Sequence, residues 1–235
     1  MILKNNRQLK FKIFIILPIL LVFLEGCITH KVTREDTEWS DFWWGHEGDI
    51  TKPRVLFIGN SISRGYYPAV SVKLSGVANC DRYATSRSIE DPALLSETRI
   101  AMAKYHHAVI HFNNGLHGWH LTNEQYERGL RKFVNFLKSR KSKGCQLIYS
   151  LTTPYPSKVP GQKLDPVKNQ VVIDRNRIAR KIMEENNIPI IDLYGLMEPE
   201  LGKYSVSKGD VHYNKEGYDR LAERINNEII KLIKK

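Results

Sequence analysis

Arg54-Val55-Leu56-Phe57-Ile58-Gly59-Asn60-Ser61-Ile62-Ser63 is the stretch on which the reading of the fold turns. Four consecutive apolar residues, bounded by Pro53 and Gly59, predict a short strand buried on both faces. Gly59 allows a sharp turn, and Ser61 then emerges at the carboxyl end of that strand. Open α/β sheets carry their ligands along this edge, so Ser61 is a candidate nucleophile.

Downstream, the chain alternates between the two periodicities. Val77 to Tyr83 predicts a second strand, and Pro68 before Ala69 to Leu74 predicts a short helix ended by Gly76. Asp91-Pro92 opens a helix to about Lys104, and His107 to Phe112 forms a third strand. Thr122 and Gln125 have the spacing of a capping box at the start of a long helix ending near Gly144. Gln146 to Leu151 is a fourth strand, and Thr152 to Pro166, with four prolines, reads as a surface loop. Val167 to Asn187 is helical, Ile188 to Leu193 is a fifth strand, and the last helix spans about Lys215 to Lys234. This order predicts an α/β protein, a three-layer α/β/α sandwich around a five-stranded parallel sheet.

The first residues lie outside that pattern. Lys4, Arg7, Lys10 and Lys12 form a basic run, and Phe11 to Leu24 is almost wholly apolar but short and interrupted by Pro18, as in a secretory signal rather than a spanning helix. Leu24-Glu25-Gly26-Cys27 resembles the lipobox of bacterial lipoproteins, although Glu25 departs from the small or hydroxylated residue usual there. The expected organisation is a signal peptide over 1–26, a tether and Trp-rich extension over 27–53, and a catalytic domain over 54–235. That resemblance implies cleavage before Cys27, lipid on the new amino terminus, and an exported protein anchored to a bacterial membrane. Within the extension, Trp39, Phe42, Trp43 and Trp44 are expected either to pack on the domain or to form a carbohydrate-stacking platform.

Net charge is +11; four basic residues and one acidic residue lie in 1–26, leaving +8 for the rest. The surplus falls largely on helical runs such as 131–143, usually a solvated face, so no nucleic-acid partner is expected. Cys80 and Cys145 fall on opposite sides of the anticipated sheet and are expected as buried thiols rather than a disulfide.

Polar residues follow three predicted edges: Ser61, then Asn113 after the third strand, then Asp210-Val211-His212 before the last helix. A serine hydroxyl is a poor nucleophile until a base takes its proton, and a distant histidine oriented by an acid supplies one. The combination resembles the SGNH (GDSL-like) hydrolase family, with a flavodoxin-like sheet, over roughly residues 54–234. Ile58-Gly59-Asn60-Ser61-Ile62 matches the first block, Asn113-Asn114-Gly115-Leu116-His117 the third, and Asp210 to Tyr218 the last. The resemblance implies Ser61 as nucleophile, His212 as base and Asp210 as its orienting acid. It also implies an oxyanion hole from the backbone N–H groups of Ser61 and Ser86 and the amide of Asn113. Two departures stand out: Ser86 replaces the glycine of the second block, and Asp210 precedes His212 by two residues instead of three. An extended backbone at 209–212 brings such a pair to one side, whereas a helical one separates it.

His117, Trp119 and His120 are candidate pocket residues. With no third ligand at suitable spacing, His117 and His120 are not read as zinc ligands, and no metal or cofactor is expected. His106, His107 and His111 flank or lie in a buried strand and are expected to serve packing or to support residues of the site. The expected activity is ester hydrolysis outside the cytoplasm by a monomer, on O-acetyl groups of carbohydrate. Alternatives are a lipase or lysophospholipase, an O-acyltransferase of the same fold, and a non-catalytic glycan-binding lipoprotein.

Overall fold

The computed structural model describes residues 32–234; the signal segment and Cys27 lie outside the described residues. Six strands form one sheet: β1 (Ser40–Trp44), β2 (Arg54–Gly59), β3 (Asn79–Thr85), β4 (Val109–Phe112), β5 (Gln146–Ser150) and β6 (Ile190–Ile191). Their order is β1-β3-β2-β4-β5-β6, parallel throughout except for β1. The expected five parallel strands are present, and β1 is an addition that the sequence did not announce. Ser40–Trp44 alternates poorly, and its strand character comes from pairing with β3, where Phe42 stacks on Tyr83 at 4.8 Å.

β2 shows why the sheet needs two covering layers. Val55 and Phe57 face a cluster containing Ile62, Tyr66, Val70, Leu221 and Ile225. Those residues lie on α1 (Ser61–Leu74) and α7 (Lys215–Ile233). Leu56 and Ile58 face the opposite cluster with Leu94, Leu130, Phe133 and Met183, from α2 (Pro92–Ala103), α3 (Asn123–Arg140) and α4 (Lys168–Glu185). All four β2 side chains are essentially sealed from solvent, each burial contributing roughly 1.5–3 kcal/mol.

Several boundaries differ from expectation. Helix α1 begins at Ser61 rather than near Pro68, because the Asn60 side chain accepts from Ile62 N–H at 3.0 Å and caps the first turn. β6 shrinks to two residues because Asp192, accepting from Gly195 N–H, starts the short helix α5 (Leu193–Met197) at once. A further turn, α6 (Leu201–Tyr204), precedes the last loop. Thr152, Thr153, Pro156 and Ser157 are buried, so the first half of the proline-rich loop lies beneath the surface. Thr122 and Gln125 form the expected capping box. Cys80 and Cys145 are buried free thiols, pushed by burial up to about 12 and about 11 respectively. No helix of the described residues is long and apolar enough to cross a membrane.

Candidate active site

Ser61 owes its position to β2 and α1 together. A Cβ at position 59 would lie 2.0 Å from Ser63 Oγ, so only glycine lets the chain pass from strand end into helix this tightly. As the first residue of a 14-residue helix, Ser61 has an N–H with no intrahelical acceptor, at the positive end of the helix dipole.

The opposing side comes from the segment before α7. Ser205 and Tyr213 form an antiparallel bridge, with Val206 N–H donating to His212 O at 3.0 Å. Gly209 turns the chain at φ +73°, and residues 210–212 follow without regular structure. Asp210 Oδ1 consequently accepts both the His212 backbone N–H at 2.9 Å and lies 2.6 Å from Nδ1. His212 Nε2 lies 2.9 Å from Ser61 Oγ. The two-residue spacing is thus accommodated by an irregular backbone that lets one carboxylate oxygen hold main chain and ring together. Partial burial pushes the Asp210 carboxyl upward, but the two hydrogen bonds from His212 outweigh it and hold the group below its ordinary value. Side chains of His212 and Asp210 remain 41% and 37% exposed, leaving the pair open to substrate.

Helix packing brings these halves together. α1 lies against α7 so closely that a Cβ at Gly65 would overlap the Tyr218 ring. Ser61, at the start of one helix, and His212, just before the other, therefore meet at the same end of the layer.

The expected oxyanion donors fare differently. Ser61 N–H is free to act. Ser86 N–H is not, because it donates to Trp39 O at 3.1 Å as the chain leaves β3 beside the unforeseen β1. Asn113 is likewise corrected: its amide Nδ2 donates to Ser150 O at 2.7 Å and Thr152 Oγ1 at 3.2 Å, tying β4 to β5. Neighbouring Asn114 reaches the other way and donates to Arg87 O at 2.9 Å, engaging one of its two amide hydrogens.

A cavity of about 590 Å³ opens over Ser61 and His212, and His117 and Trp119 line it as expected. His120 does not; it is exposed outside the lining. Trp39, named with the tryptophan cluster, also lines the cavity, together with Glu35, Arg64, Tyr155 and Tyr218, which were not proposed as pocket residues from sequence. The positions of those four depend on contacts between distant segments, for which the sequence carries no local signal. The His117–Trp119 loop is itself pinned from below. Arg175, 1% exposed, donates to the carbonyls of Gly115, His117 and Gly118 at 2.6–2.9 Å, and no acidic side chain pairs with it among the described residues. His111, expected to pack, is fully buried between Phe57, Tyr66 and Ser150, and burial pushes it down to about 3. No group of three or more His, Cys, Asp or Glu among the described residues could hold a metal ion.

A mostly parallel sheet between two helical layers, with Ser61, His212 and Asp210 hydrogen-bonded in series at its carboxyl edge, defines a hydrolase of the α/β/α class. The chain belongs to the GDSL-like Lipase/Acylhydrolase family, whose profile matches residues 57–220. That span includes Ser61, Asp210 and His212. No curated protein matches at the level of sequence. Among solved structures, the chain is similar to the acetylxylan esterase Axe2 from Geobacillus stearothermophilus (17% identity, TM-score 0.60, 75% of this chain and 94% of that one). It is also similar to a GDSL-like lipase from Bacteroides thetaiotaomicron (18%, TM-score 0.59, 76% and 88%). A third is a member of the lipolytic protein G-D-S-L family from Veillonella parvula (18%, TM-score 0.60, 76% and 98%). At these identities the likeness is one of fold.

Proposed function

We propose that the protein is a serine esterase acting on short-chain acyl esters, chiefly O-acetyl groups on carbohydrate. The observation that carries the chemistry is the hydrogen-bonded series Asp210–His212–Ser61 at the floor of an open cavity. His212 Nε2 takes the Ser61 proton as Oγ attacks the ester carbonyl, and Asp210 holds the ring with its Nδ1 proton inward. Negative charge develops on the carbonyl oxygen near the Ser61 N–H at the start of α1. We assign the second donor to Asn114, whose amide keeps one hydrogen free, since Asn113 has both engaged. The protonated imidazole then passes its proton to the leaving alcohol. Water then attacks the acyl carbon while giving a proton to His212, and the imidazolium returns that proton to Ser61 Oγ as the Oγ–acyl bond breaks and the acid leaves.

Carbohydrate is favoured over a long acyl chain by the lining. Trp39, Trp119 and Tyr155 give the lining aromatic surface of the kind on which sugars pack, whereas Glu35 and Arg64 carry charges that an apolar chain would desolvate without compensation. The similar Axe2 is an acetylxylan esterase, which makes acetylated xylo-oligosaccharides a natural first substrate. Expressed from residue 28 onward, the protein should release acetate from 4-nitrophenyl acetate and acetylated xylo-oligosaccharides. Folded Ser61→Ala should do neither; retained turnover in that variant would overturn the assignment. Preference for long-chain acyl esters or phospholipid would replace the carbohydrate reading with a lipase.

We further propose anchoring through a lipidated Cys27. Membrane fractionation tests this: Cys27→Ser should leave the membrane fraction, and its retention there at mature mass would contradict anchoring.

A further inference from the structure

The catalytic cavity contains a second acid–imidazole pair that the hydrolytic mechanism does not use. His117 Nδ1 lies 3.0 Å from both Glu35 carboxylate oxygens, and both residues line the same cavity as Ser61 and His212. Their sequence separation is 82 residues, so the segment before β1 supplies half of the pair. That segment is stitched to the domain on either side of Glu35. Arg34 Nε donates to Asp91 at 2.8 Å, Trp39 N–H donates to Ser86 Oγ at 2.9 Å, and Glu38 accepts from Ser86 Oγ at 2.7 Å. Glu35 is therefore held before any ligand arrives.

We propose that Glu35 and His117 form the alcohol-side subsite of the esterase, binding a hydroxyl of the saccharide that bears the ester. The inference rests on the carbohydrate reading above. Burial raises the Glu35 carboxyl, but the His117 hydrogen bond, the nearby imidazoles and the Gly118 backbone N–H together outweigh it and hold the group below its ordinary value, so that it acts as an acceptor. An imidazole N–H occupies only part of a carboxylate's acceptor capacity. Glu35 stays 36% exposed while His117 is 15% exposed, so the carboxylate is the member that faces incoming ligand. With His117 Nδ1 directed at Glu35, the remaining lone pairs of the carboxylate are left for a hydroxyl of the sugar. Trp39 and Trp119, in the same walls, add aromatic surface beside its C–H groups. A fatty chain gains nothing from such a pair, whereas a polyol satisfies it.

The test compares acetylated xylo-oligosaccharides with 4-nitrophenyl acetate for wild type, Glu35→Gln and Glu35→Ala, with thermal unfolding of each. Loss of a hydrogen bond to a charged acceptor should lower the oligosaccharide-to-aryl ratio of kcat/KM by about tenfold or more, mainly through KM. Inhibition of aryl ester hydrolysis by the deacetylated oligosaccharide should weaken in parallel. A folded variant whose ratio stays within twofold of wild type overturns the subsite, as does an equal loss on both substrates, which marks a role in fastening the segment. If Glu35→Ala does not fold, Glu35→Gln, which keeps shape and removes charge, decides the matter. Wild type that cleaves the aryl ester but no glycan ester overturns the carbohydrate reading together with the subsite; a glycan-active wild type with an unchanged ratio overturns the subsite alone.

Discussion

His212 Nε2 stands 2.9 Å from Ser61 Oγ although 151 positions separate the two residues. The contact exists because α1 begins at Ser61 and α7 begins three residues after His212, and the two helices pack with their first turns side by side. The orienting acid depends on neither helix. Asp210 is placed by the turn at Gly209 and by accepting the His212 backbone N–H, so it should tolerate no change that removes its negative charge.

Asp210→Asn keeps the shape but presents an amide where Nδ1 needs an acceptor, which favours the wrong imidazole tautomer. Turnover of 4-nitrophenyl acetate is expected to fall by more than tenfold, with roughly 10⁴-fold as the upper bound set by a well-oriented triad. Steady-state kinetics at saturating substrate measures this. A smaller loss, with Ser61 and His212 still essential, would mean that a dyad suffices.

The two asparagines after β4 should separate cleanly. Asn114→Ala is expected to lower kcat by roughly 10²- to 10³-fold, the usual effect of losing one oxyanion donor. Asn113→Ala should act on stability instead, removing the donor that joins β4 to Ser150 O and Thr152 Oγ1, at about 1–3 kcal/mol. Chemical denaturation beside kinetics of both variants checks the division, and the reverse pattern would return the oxyanion role to Asn113.

His111 makes the fold sensitive to mild acid. Its folded value of about 3 lies below the ordinary histidine value, so between those limits the unfolded chain binds a proton that the native state does not. The contribution is complete above about pH 6.5 and declines as pH falls, by about 1.4 kcal/mol per pH unit. Unfolding free energy should be about 2 kcal/mol lower at pH 5 than at pH 7.5. In His111→Gln that difference should largely vanish, whatever the variant's stability at neutral pH. An undiminished pH dependence in the variant would assign the effect to another group.

Arg175 tests how the cavity wall is held. Lysine keeps the charge but cannot span three carbonyls, so Arg175→Lys leaves buried acceptors of the Gly115–Gly118 loop unpaired. The expected loss is about 3 kcal/mol in stability, with KM rising for glycan substrate as His117 and Trp119 lose their support. Thermal unfolding and kinetics that match wild type would show the loop to be held by other contacts.

Sequence by itself determined the strands and most helices of the sheet, because an apolar run such as 55–58 or a cap such as Asp91 acts through neighbours a few residues away. It also singled out Ser61 at the end of the first predicted strand and, through the resemblance of the last block, Asp210 and His212. Tertiary structure alone decided the rest. β1 exists through its pairing with β3, and that pairing engages the Ser86 N–H that the sequence reserved for the oxyanion. Which of Asn113 and Asn114 faces a neighbouring strand and which the loop at Arg87 depends on twist and register, not on composition. Glu35 carries no local signal at all: its place beside His117 follows from hydrogen bonds to Asp91 and Ser86, residues more than 45 positions away, which form only once the sheet has assembled.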